Sequence, residues 1–453
     1  MTAETIYALS SAPGRAGVAV LRLSGSSAGH ALEELTGKPP PPPRQTAVRL
    51  IKDPRSGETL DSAMVIYFEG PASFTGEDVV ELHCHGSWAV IDAVMHALSW
   101  IQNCRLAQPG EFTRRAFENG KMDLTAAEAV ADLIDAETDA QRQQALAQMG
   151  GALSSLYNGW ADALKKSLAY TEAVIDFPDE DVPDDQIATI IPQVEKIRDS
   201  IDEHLNDNHR GERLRDGLHV AVIGPPNAGK SSLVNALAKR DVAIVSDMAG
   251  TTRDVIEVHL DLGGYPVILA DTAGLRPDQV EDGAHGKIES EGIRRALERA
   301  QNADIRLLVF DGTDSELDPH TAALINSNSV VVINKCDLFH VEHAKAASIK
   351  AIPVSVKTGD GVDNLLVSLE NKISLLMASS RDTPSLTRAR HRSALEDCRG
   401  CLNDALARIQ SKGLPELVAE DLRIAVRALG RITGRVDVED LLDVIFRDFC
   451  IGK

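Results

Sequence analysis

The 453-residue sequence contains no apolar run close to the roughly 20 residues that a membrane-spanning helix needs. Its first residues lack a basic stretch followed by an apolar core, so we expect no signal peptide. Cysteine is also scarce, because six in so long a chain do not make a disulfide framework, and we interpret them as reduced thiols. Together these absences predict a cytoplasmic protein.

Positive charge is in deficit. The chain has 47 Lys and Arg against 68 Asp and Glu, for a formal net charge of −21. Such a chain has no global attraction for nucleic acid, so contact with RNA would need a local basic patch or a partner. One candidate patch is Arg423, Arg427, Arg431 and Arg435, which recur every four residues. Pairing with acidic side chains and contact with RNA phosphate both remain open for it.

Hydrophobic patterns divide the chain into four segments. Residues 1–120 mix short alternating strands with helices, and residues 121–214 are helical and lose the strand signals. Residues 215–379 alternate β-branched runs with helical stretches, which is typical of a mostly parallel sheet covered by helices. Residues 380–453 are helical again. At about 150 residues per domain, we predict about three domains, with an α/β domain inserted between two halves of an all-helical domain.

A phosphate-binding motif opens the third segment. The run "GPPNAGKSS" (Gly224–Ser232) directly follows the apolar run "HVAVI" and matches G-x-x-x-x-G-K-[ST]. Its glycines let backbone N–H groups surround phosphate, Lys230 supplies a positive charge, and the Ser231 hydroxyl suits Mg²⁺. Because the motif lies between a strand and a helix, it predicts a nucleotide site.

Three further motifs follow in the order typical of guanine-nucleotide-binding proteins. "DTAG" (Asp271–Gly274) ends an apolar run and can hold the Mg²⁺ shell. "NKCD" (Asn334–Asp337) supplies the Asp337 carboxylate, which can accept from N1–H and the exocyclic amine of guanine; adenine lacks both donors at these positions. "SVK" (Ser355–Lys357) completes the base pocket. The four motifs predict a Ras-like P-loop G domain that hydrolyses GTP.

A switch loop, "SDMAGTTRD" (Ser246–Asp254), lies between these motifs, and its Thr252 can contact Mg²⁺ and the γ-phosphate. Water activation stays open, because Leu275 stands where a Gln would orient water. A Glu further along the switch or a monovalent cation near Asn227 are the alternatives. The residues expected at GTP are Gly224, Asn227, Ala228, Gly229, Lys230, Ser231, Ser232, Ser246, Asp247, Met248, Ala249, Gly250, Thr251, Thr252, Asp271, Thr272, Ala273, Gly274, Asn334, Lys335, Asp337, Ser355, Val356 and Lys357.

Four segments outside these motifs match a known family. They are "PGRAGVAVLRLSG" (Pro13–Gly25), "FTGEDVVELHCHG" (Phe74–Gly86), "PGEFTRRAFENGKMDLTAAEAVADLI" (Pro109–Ile134) and "FCIGK" (Phe449–Lys453). Through them the chain resembles the MnmE (TrmE) family of tRNA-modification GTPases over essentially its whole length.

The resemblance implies both an architecture and a reaction. The architecture is an α+β folate-binding and dimerising domain at 1–120, a helical domain in two halves at 121–214 and 380–453, and a G domain at 215–379. The family acts as a homodimer with an MnmG (GidA)-like flavoprotein, in a heterotetramer or larger complex, and the partner carries the FAD. Together they form a 5-aminomethyl or 5-carboxymethylaminomethyl group on the wobble uridine of tRNA. A 5,10-methylene- or 5-formyl-tetrahydrofolate supplies the one-carbon unit, and K⁺ with G-domain dimerisation stimulates GTP hydrolysis.

The resemblance also assigns roles to single residues. Folate contacts fall on Arg22, Glu81, Lys121 and Lys453. K⁺ ligands fall on Asn227, Ser246, Met248 and Thr251, and Mg²⁺ ligands on Ser231 and Thr252. The water-orienting group falls on Glu289, and Cys450 in the "FCIGK" segment would serve as nucleophile or acid in the modification.

Other interpretations compete with these. The chain could be a regulatory switch that only hydrolyses GTP, or a ribosome-assembly GTPase; the acidic composition disfavours the second. The "CRGC" run (Cys398–Cys401) has no second ligand pair, so we favour a structural role over zinc. For "HCH" (His83–His85) we favour structural or folate-pocket roles over a metal site.

Overall fold

The computed structural model divides the chain into two compact units. The first contains residues 1–131, 148–195 and 397–453, and the second contains 132–147 and 196–396. The residues that the structure describes are 4–176, 187–240, 242–244, 257–271, 303–314, 316–338, 349–378, 384–436, 438–447 and 449–452.

A six-stranded sheet organises the first unit, with strand order β3-β4-β5-β2-β1-β6. Its neighbouring strands are antiparallel, except that β1 and β6 run parallel. The strands are β1 (Thr5–Leu9), β2 (Ala16–Ser24), β3 (Thr46–Lys52), β4 (Thr59–Phe68), β5 (Val79–Gly86) and β6 (Cys104–Leu106).

Alternation along β5 gives this sheet two different faces. Val80, Leu82 and Cys84 are buried in the apolar core, as is expected of alternate residues in a half-buried strand. The residues between them, Glu81 and His83, therefore point to the opposite face and are only partly buried.

Fourteen helices lie within the described ranges. They are α1 (Ala28–Thr36), α2 (Trp88–Leu98), α3 (Glu111–Glu118), α4 (Leu124–Ile134), α5 (Asp139–Met149), α6 (Ala152–Asp176), α7 (Ile191–Leu205), α8 (Arg210–Asp216), α9 (Lys230–Leu237), α10 (Pro319–Ala322), α11 (Val362–Met377), α12 (Ala389–Gln410), α13 (Pro415–Thr433) and α14 (Glu439–Arg447). Two 3₁₀ helices lie at Ile187–Ile190 and Cys336–Leu338. Among these helices, none combines the length and apolar character needed to cross a membrane.

The long helices of the first unit form because their apolar residues recur every three or four positions. In α13, Val418, Leu422, Ala425 and Leu429 are all buried, which places one apolar stripe along the helix. This helix packs along α6, whose buried residues include Tyr157. The prediction of helix on both sides of residues 215–379 agrees with these elements.

A second six-stranded sheet organises the other unit, in the order β12-β11-β10-β7-β9-β8. All neighbouring strands are parallel except β8, which runs antiparallel to β9. The strands are β7 (Leu218–Ile223), β8 (Glu257–Leu262), β9 (Tyr265–Asp271), β10 (Ile305–Asp311), β11 (Ser329–Asn334) and β12 (Ile352–Pro353). The mostly parallel sheet predicted from the β-branched runs is therefore present.

Apolar residues cover both faces of this sheet. One cluster joins Val220 and Val222 of β7 to Leu233 of α9 and Leu365 of α11. The other contains Ile223, which belongs to the opposite face of the same strand. A strand that is buried on both faces needs a continuous apolar run, so the apolar runs of the sequence correctly predicted these strands. The carboxyl ends of parallel strands share one edge, where loops build a site.

Candidate functional site

The phosphate-binding loop connects β7 to α9 and depends on two glycines. A Cβ added at Gly224 would lie 2.1 Å from the carbonyl oxygen of Val309, and one at Gly229 would lie 2.2 Å from Nδ2 of Asn334. Gly229 also has φ +91°, a left-handed conformation that favours glycine. The spacing of the glycines therefore reflects close approach to neighbouring strands.

Lys230 begins α9 and folds back over its own loop. Its Nζ donates to the carbonyl oxygens of Gly224 and Pro225, each at 2.9 Å. Ser231 and Ser232 follow in the first turn and are exposed. The first turn of a helix presents unpaired N–H groups and a partial positive charge, so this arrangement suits an anion.

Asn334 ties the phosphate loop to the base-pocket loops. Its side chain is buried, and Nδ2 donates to the carbonyl oxygen of Ala228 at 2.8 Å. Its Oδ1 accepts from the backbone N–H of Lys335 at 2.8 Å and of Val356 at 3.3 Å. One side chain at the end of β11 therefore links three of the predicted GTP segments.

Asp337 lies in the 3₁₀ helix after β11, and its Oδ1 accepts from the Ser355 hydroxyl at 2.7 Å. Ser355 is fully buried, so this bond fixes the orientation of the carboxylate. Lys357 of the same "SVK" loop is exposed. A carboxylate fixed by one buried donor is well suited to recognise the paired N–H groups of guanine.

The nucleotide site also contains an ion pair that the sequence motifs did not predict. Nζ of Lys335 lies 2.5 Å from Oδ2 of Asp311, at the end of the adjacent strand β10. Partial burial acts to raise the pKa of Asp311, but hydrogen bonds from Lys335 and Thr313 outweigh it and lower the pKa below its ordinary value. The only sequence signal was the acidic residue that ends the run "IRLLVFD".

Replacing Asp311 by Asn is expected to weaken binding of both GTP and GDP about fivefold. The change removes one charge-assisted contact that holds Lys335, at a cost of about 1 kcal/mol. Titration calorimetry with each nucleotide measures the effect. Asp314→Asn removes an equal charge from the same turn and serves as the control. Affinities that match the wild type would show that Asp311 does not support the site.

Several expected GTP and metal residues fall outside the described residues. They are Ser246, Asp247, Met248, Ala249, Gly250, Thr251, Thr252, Thr272, Ala273, Gly274 and Glu289, and Lys453 of the folate set lies outside as well. Asp271 is described as the last residue of β9, where its backbone pairs with Val222 of β7. Asn227 has φ +64° and is exposed in the phosphate loop.

A second site lies on the face of the first unit's sheet opposite the core that contains Val80 and Leu82. Arg22 of β2 donates through Nε and Nη2 to Glu81 Oε1, at 3.0 and 2.9 Å. The other carboxylate oxygen of Glu81 lies 3.2 Å from Nε2 of His83. The Arg22 guanidinium also lies 5.8 Å from the ring centres of Phe74 and Phe112. The structure thus brings Arg22 and Glu81 together and places beside them His83, for which the sequence left structural and folate-pocket roles open.

Lys121 lies against the loop that contains Phe74. Its Nζ donates to the carbonyl oxygen of Pro71 at 2.8 Å, and its aliphatic carbons lie beside Gly76. The structure thus brings Lys121 to the neighbouring loop, and no direct bond from it to Arg22 or Glu81 is found within the described ranges.

Cys450 is exposed and adjoins the same sheet. The N–H of Gly110 donates to its carbonyl oxygen at 3.3 Å, and Gly452 accepts from the Ser10 hydroxyl just beyond β1. Ser10 directly follows β1, and Ala8 of β1 pairs with Arg22 of β2. The segment that contains Cys450 is therefore bonded to the end of the strand that lies next to Arg22.

The structure also describes the cysteines of the "CRGC" run and one arginine of the basic stripe. Cys398 is buried in α12, where burial raises its pKa, and Cys401 is partly buried. Within the described part of the chain, no group of three His, Cys, Asp or Glu side chains is placed to hold a metal ion. Arg423 donates to Glu172 at 2.9 Å and also to Glu420, which favours acid pairing for this member of the basic stripe.

Comparison with known proteins identifies matching families and relatives. The family models for the "MnmE helical domain" and the "GTP-binding protein TrmE N-terminus" match residues 124–450 and 5–121. The chain is 56% identical over 450 residues to the tRNA modification GTPase MnmE of Parvibaculum lavamentivorans, covering 99% of this chain and 100% of that protein. The protein of the same description from Paramagnetospirillum magneticum is 54% identical, with 99% and 100% coverage. The structure of Era Y63A from Aquifex aeolicus bound to GDP and aluminium fluoride is 23% identical in sequence, and the match covers 40% of this chain and 66% of that one. Its TM-score is 0.26.

The parallel sheet, the glycine-dependent loop at the end of β7 and the guanine-type loops at the ends of β11 and β12 define a P-loop GTPase. The matches to relatives extend well beyond that domain, over almost the whole chain. The chain belongs to the MnmE (TrmE) family of tRNA modification GTPases and is a GTP-hydrolysing enzyme of that class.

Proposed function

We propose that this GTPase acts with an MnmG (GidA)-like flavoprotein to build the 5-aminomethyl or 5-carboxymethylaminomethyl group on the wobble uridine of tRNA. A tetrahydrofolate supplies the one-carbon unit, and the chain works as a homodimer in a larger complex with its partner. The observation that carries the proposal is the Arg22–Glu81–His83 array on the same sheet that the Cys450 segment adjoins. A chain that only switched between nucleotide states would have no use for that array.

The array has the chemistry that a reduced folate requires. A carboxylate such as Glu81 can accept from the amine and N–H edge of a pterin, and the Arg22 guanidinium holds that carboxylate in one orientation. The rings of Phe74 and Phe112 near Arg22 provide apolar surface for a flat ligand. Lys121, and Lys453 outside the described residues, would pair with the folate carboxylates.

The donors assigned to metal ions at the nucleotide site are all oxygen atoms, which suits Mg²⁺ and K⁺. Ser231, exposed in the first turn of α9, and Thr252 would hold Mg²⁺. Asn227, Ser246, Met248 and Thr251 would hold K⁺, the last ones partly through backbone carbonyls. When bound, these ions neutralise charge that develops on the phosphates. Glu289 would orient the attacking water.

GTP turnover is expected to be about tenfold or more faster in potassium than in sodium at equal ionic strength. A cation beside the phosphates stabilises charge in the transition state, and only one that fits the loop around Asn227 does so. Phosphate release from the purified chain in each salt measures the difference. Asn227→Ala should reduce the potassium rate toward the sodium rate.

Equal rates in both salts would leave a GTPase but remove the potassium mechanism. Asn206→Ala is a control, since Asn206 lies in the same unit and outside the nucleotide-binding motifs of the sequence. A potassium effect that survives Asn227→Ala would place the cation elsewhere.

A further inference from the structure

The segment Phe449–Gly452 follows α14 and is anchored at its start. Phe449 is 7% exposed and packs on Phe446 with ring centres 5.2 Å apart, in an apolar cluster with Leu124 and Leu442. Its N–H donates to the Phe446 carbonyl oxygen at 3.2 Å. The residue before Cys450 is therefore held in a core.

The same segment is anchored again two residues after Cys450. Gly452 is buried, and its carbonyl oxygen accepts from the Ser10 hydroxyl at 2.8 Å. A Cβ added at Gly452 would lie 2.0 Å from the carbonyl oxygen of Leu9 and 2.8 Å from its carbon. Gly452 also has φ +96°, which L-residues rarely adopt. The slot beside Leu9 and Ser10 therefore accepts glycine alone.

Between these anchors the backbone runs against residues 109–110. Ile451 forms an antiparallel bridge with Pro109, and Cys450 accepts from the N–H of Gly110. An extended chain spans at most about 3.6 Å per residue, so Cys450 lies within about 4 Å, Cα to Cα, of the anchored Phe449 and within about 7 Å of Gly452. The exposed Cys450 side chain is thus held in a narrow region at the end of β1.

We propose that Gly452 is a positioning residue: seated in its slot, it holds the Cys450 thiol at the Arg22–Glu81 site, and the uridine modification depends on that placement. The inference rests on the proposed function and on the role of nucleophile or acid in the modification that the family resemblance implies for Cys450. Gly452 itself touches no reacting atom. Misplacing a reacting group by about 1 Å can cost on the order of a hundredfold in rate.

The test compares the full-length chain with its Gly452→Ala variant. Alanine cannot enter the slot, so the segment should leave it, and hydrogen exchange should accelerate at the Gly110 amide and in peptides covering residues 449–452. Modification of tRNA by the chain and its flavoprotein partner should fall about tenfold to a hundredfold. Affinity for 5-formyl-tetrahydrofolate should change much less, because Arg22 and Glu81 are untouched. GTP turnover should stay unchanged, since the nucleotide elements belong to the other compact unit.

Two sets of variants act as controls. Gly57→Ala places a side chain at another left-handed glycine of the same unit, φ +74°, where nothing lies within 4 Å of the added Cβ. It should leave exchange and modification as they are. Ser10→Ala removes the hydroxyl that donates to Gly452 and should reproduce part of the loss of tRNA modification. Ser10→Thr keeps a hydroxyl at this position and should retain normal modification.

The outcomes separate the two proposals. If Gly452→Ala shows faster hydrogen exchange but unchanged tRNA modification, the positioning role of Gly452 is overturned and the proposed function stays intact. Unchanged exchange in Gly452→Ala would overturn the slot itself. A wild-type chain that neither binds the folate nor supports modification would overturn the proposed function, and the role of Gly452 in it would fall too.

Discussion

Replacement of Asp337 by Asn is expected to lower the affinity for GTP by two to four orders of magnitude, at a cost of about 3–6 kcal/mol for two charge-assisted hydrogen bonds. The carboxylate, held by the buried Ser355 hydroxyl at 2.7 Å, can accept from both N1–H and the amine of guanine. Asparagine offers one acceptor and one donor, so its amide N–H₂ would face the guanine amine. Competition binding against a fluorescent nucleotide measures the loss.

The same substitution should reverse the preference between GTP and XTP. Xanthine carries an oxygen where guanine carries the amine, so it suits the donor that asparagine introduces and repels the native carboxylate. Asp363→Asn removes an equal charge from an exposed position in α11 and should change neither affinity. A variant at Asp337 that still prefers GTP would show that another group reads the base.

Replacement of Cys450 by Ser is expected to reduce wobble-uridine modification by about 10²–10⁴-fold, the range for loss of a positioned acid–base group. The hydroxyl is nearly the same size, so the backbone bond from Gly110 and the Gly452 slot should persist. GTP turnover should not change, because Cys450 and the nucleotide loops lie in different compact units. Nucleoside analysis of tRNA from cells that carry only the variant measures the modification.

Cys104→Ser is the matched control for this substitution. Cys104 lies in β6 of the same sheet and is partly buried, where burial raises its pKa to about 11, so it is a poor nucleophile. Normal modification in Cys450→Ser would exclude the thiol from the reaction. A loss of GTP turnover would instead indicate that the exchange disturbs the fold.

Local sequence patterns predicted the elements of the second unit because their causes are local. Strands of a parallel sheet are buried on both faces, so β10 and β11 had to be continuous apolar runs. A phosphate loop between strand and helix needs glycines at set spacing, so Gly224 and Gly229 were recognisable before their neighbours were known. The roles of single residues there remain predictions.

Contacts between distant residues were beyond those patterns. Asp311 and Lys335 meet because β10 and β11 are neighbours in the sheet, and strand order does not follow from apolar runs. Arg22 and Glu81 likewise meet because β2 and β5 are neighbours in the first sheet.

The sequence by itself determined the family, the order of the segments and the guanine-nucleotide motifs, because these depend on residue identity and spacing along the chain. Only the tertiary structure decided that Arg22 is paired with Glu81, that Asn334 links the phosphate loop to the base pocket, and that Gly452 fits beside Leu9 and Ser10. Ser10 and Gly452 are 442 positions apart. Their contact requires the packing of a strand near one end of the sequence with a segment near the other, and no local periodicity encodes that packing.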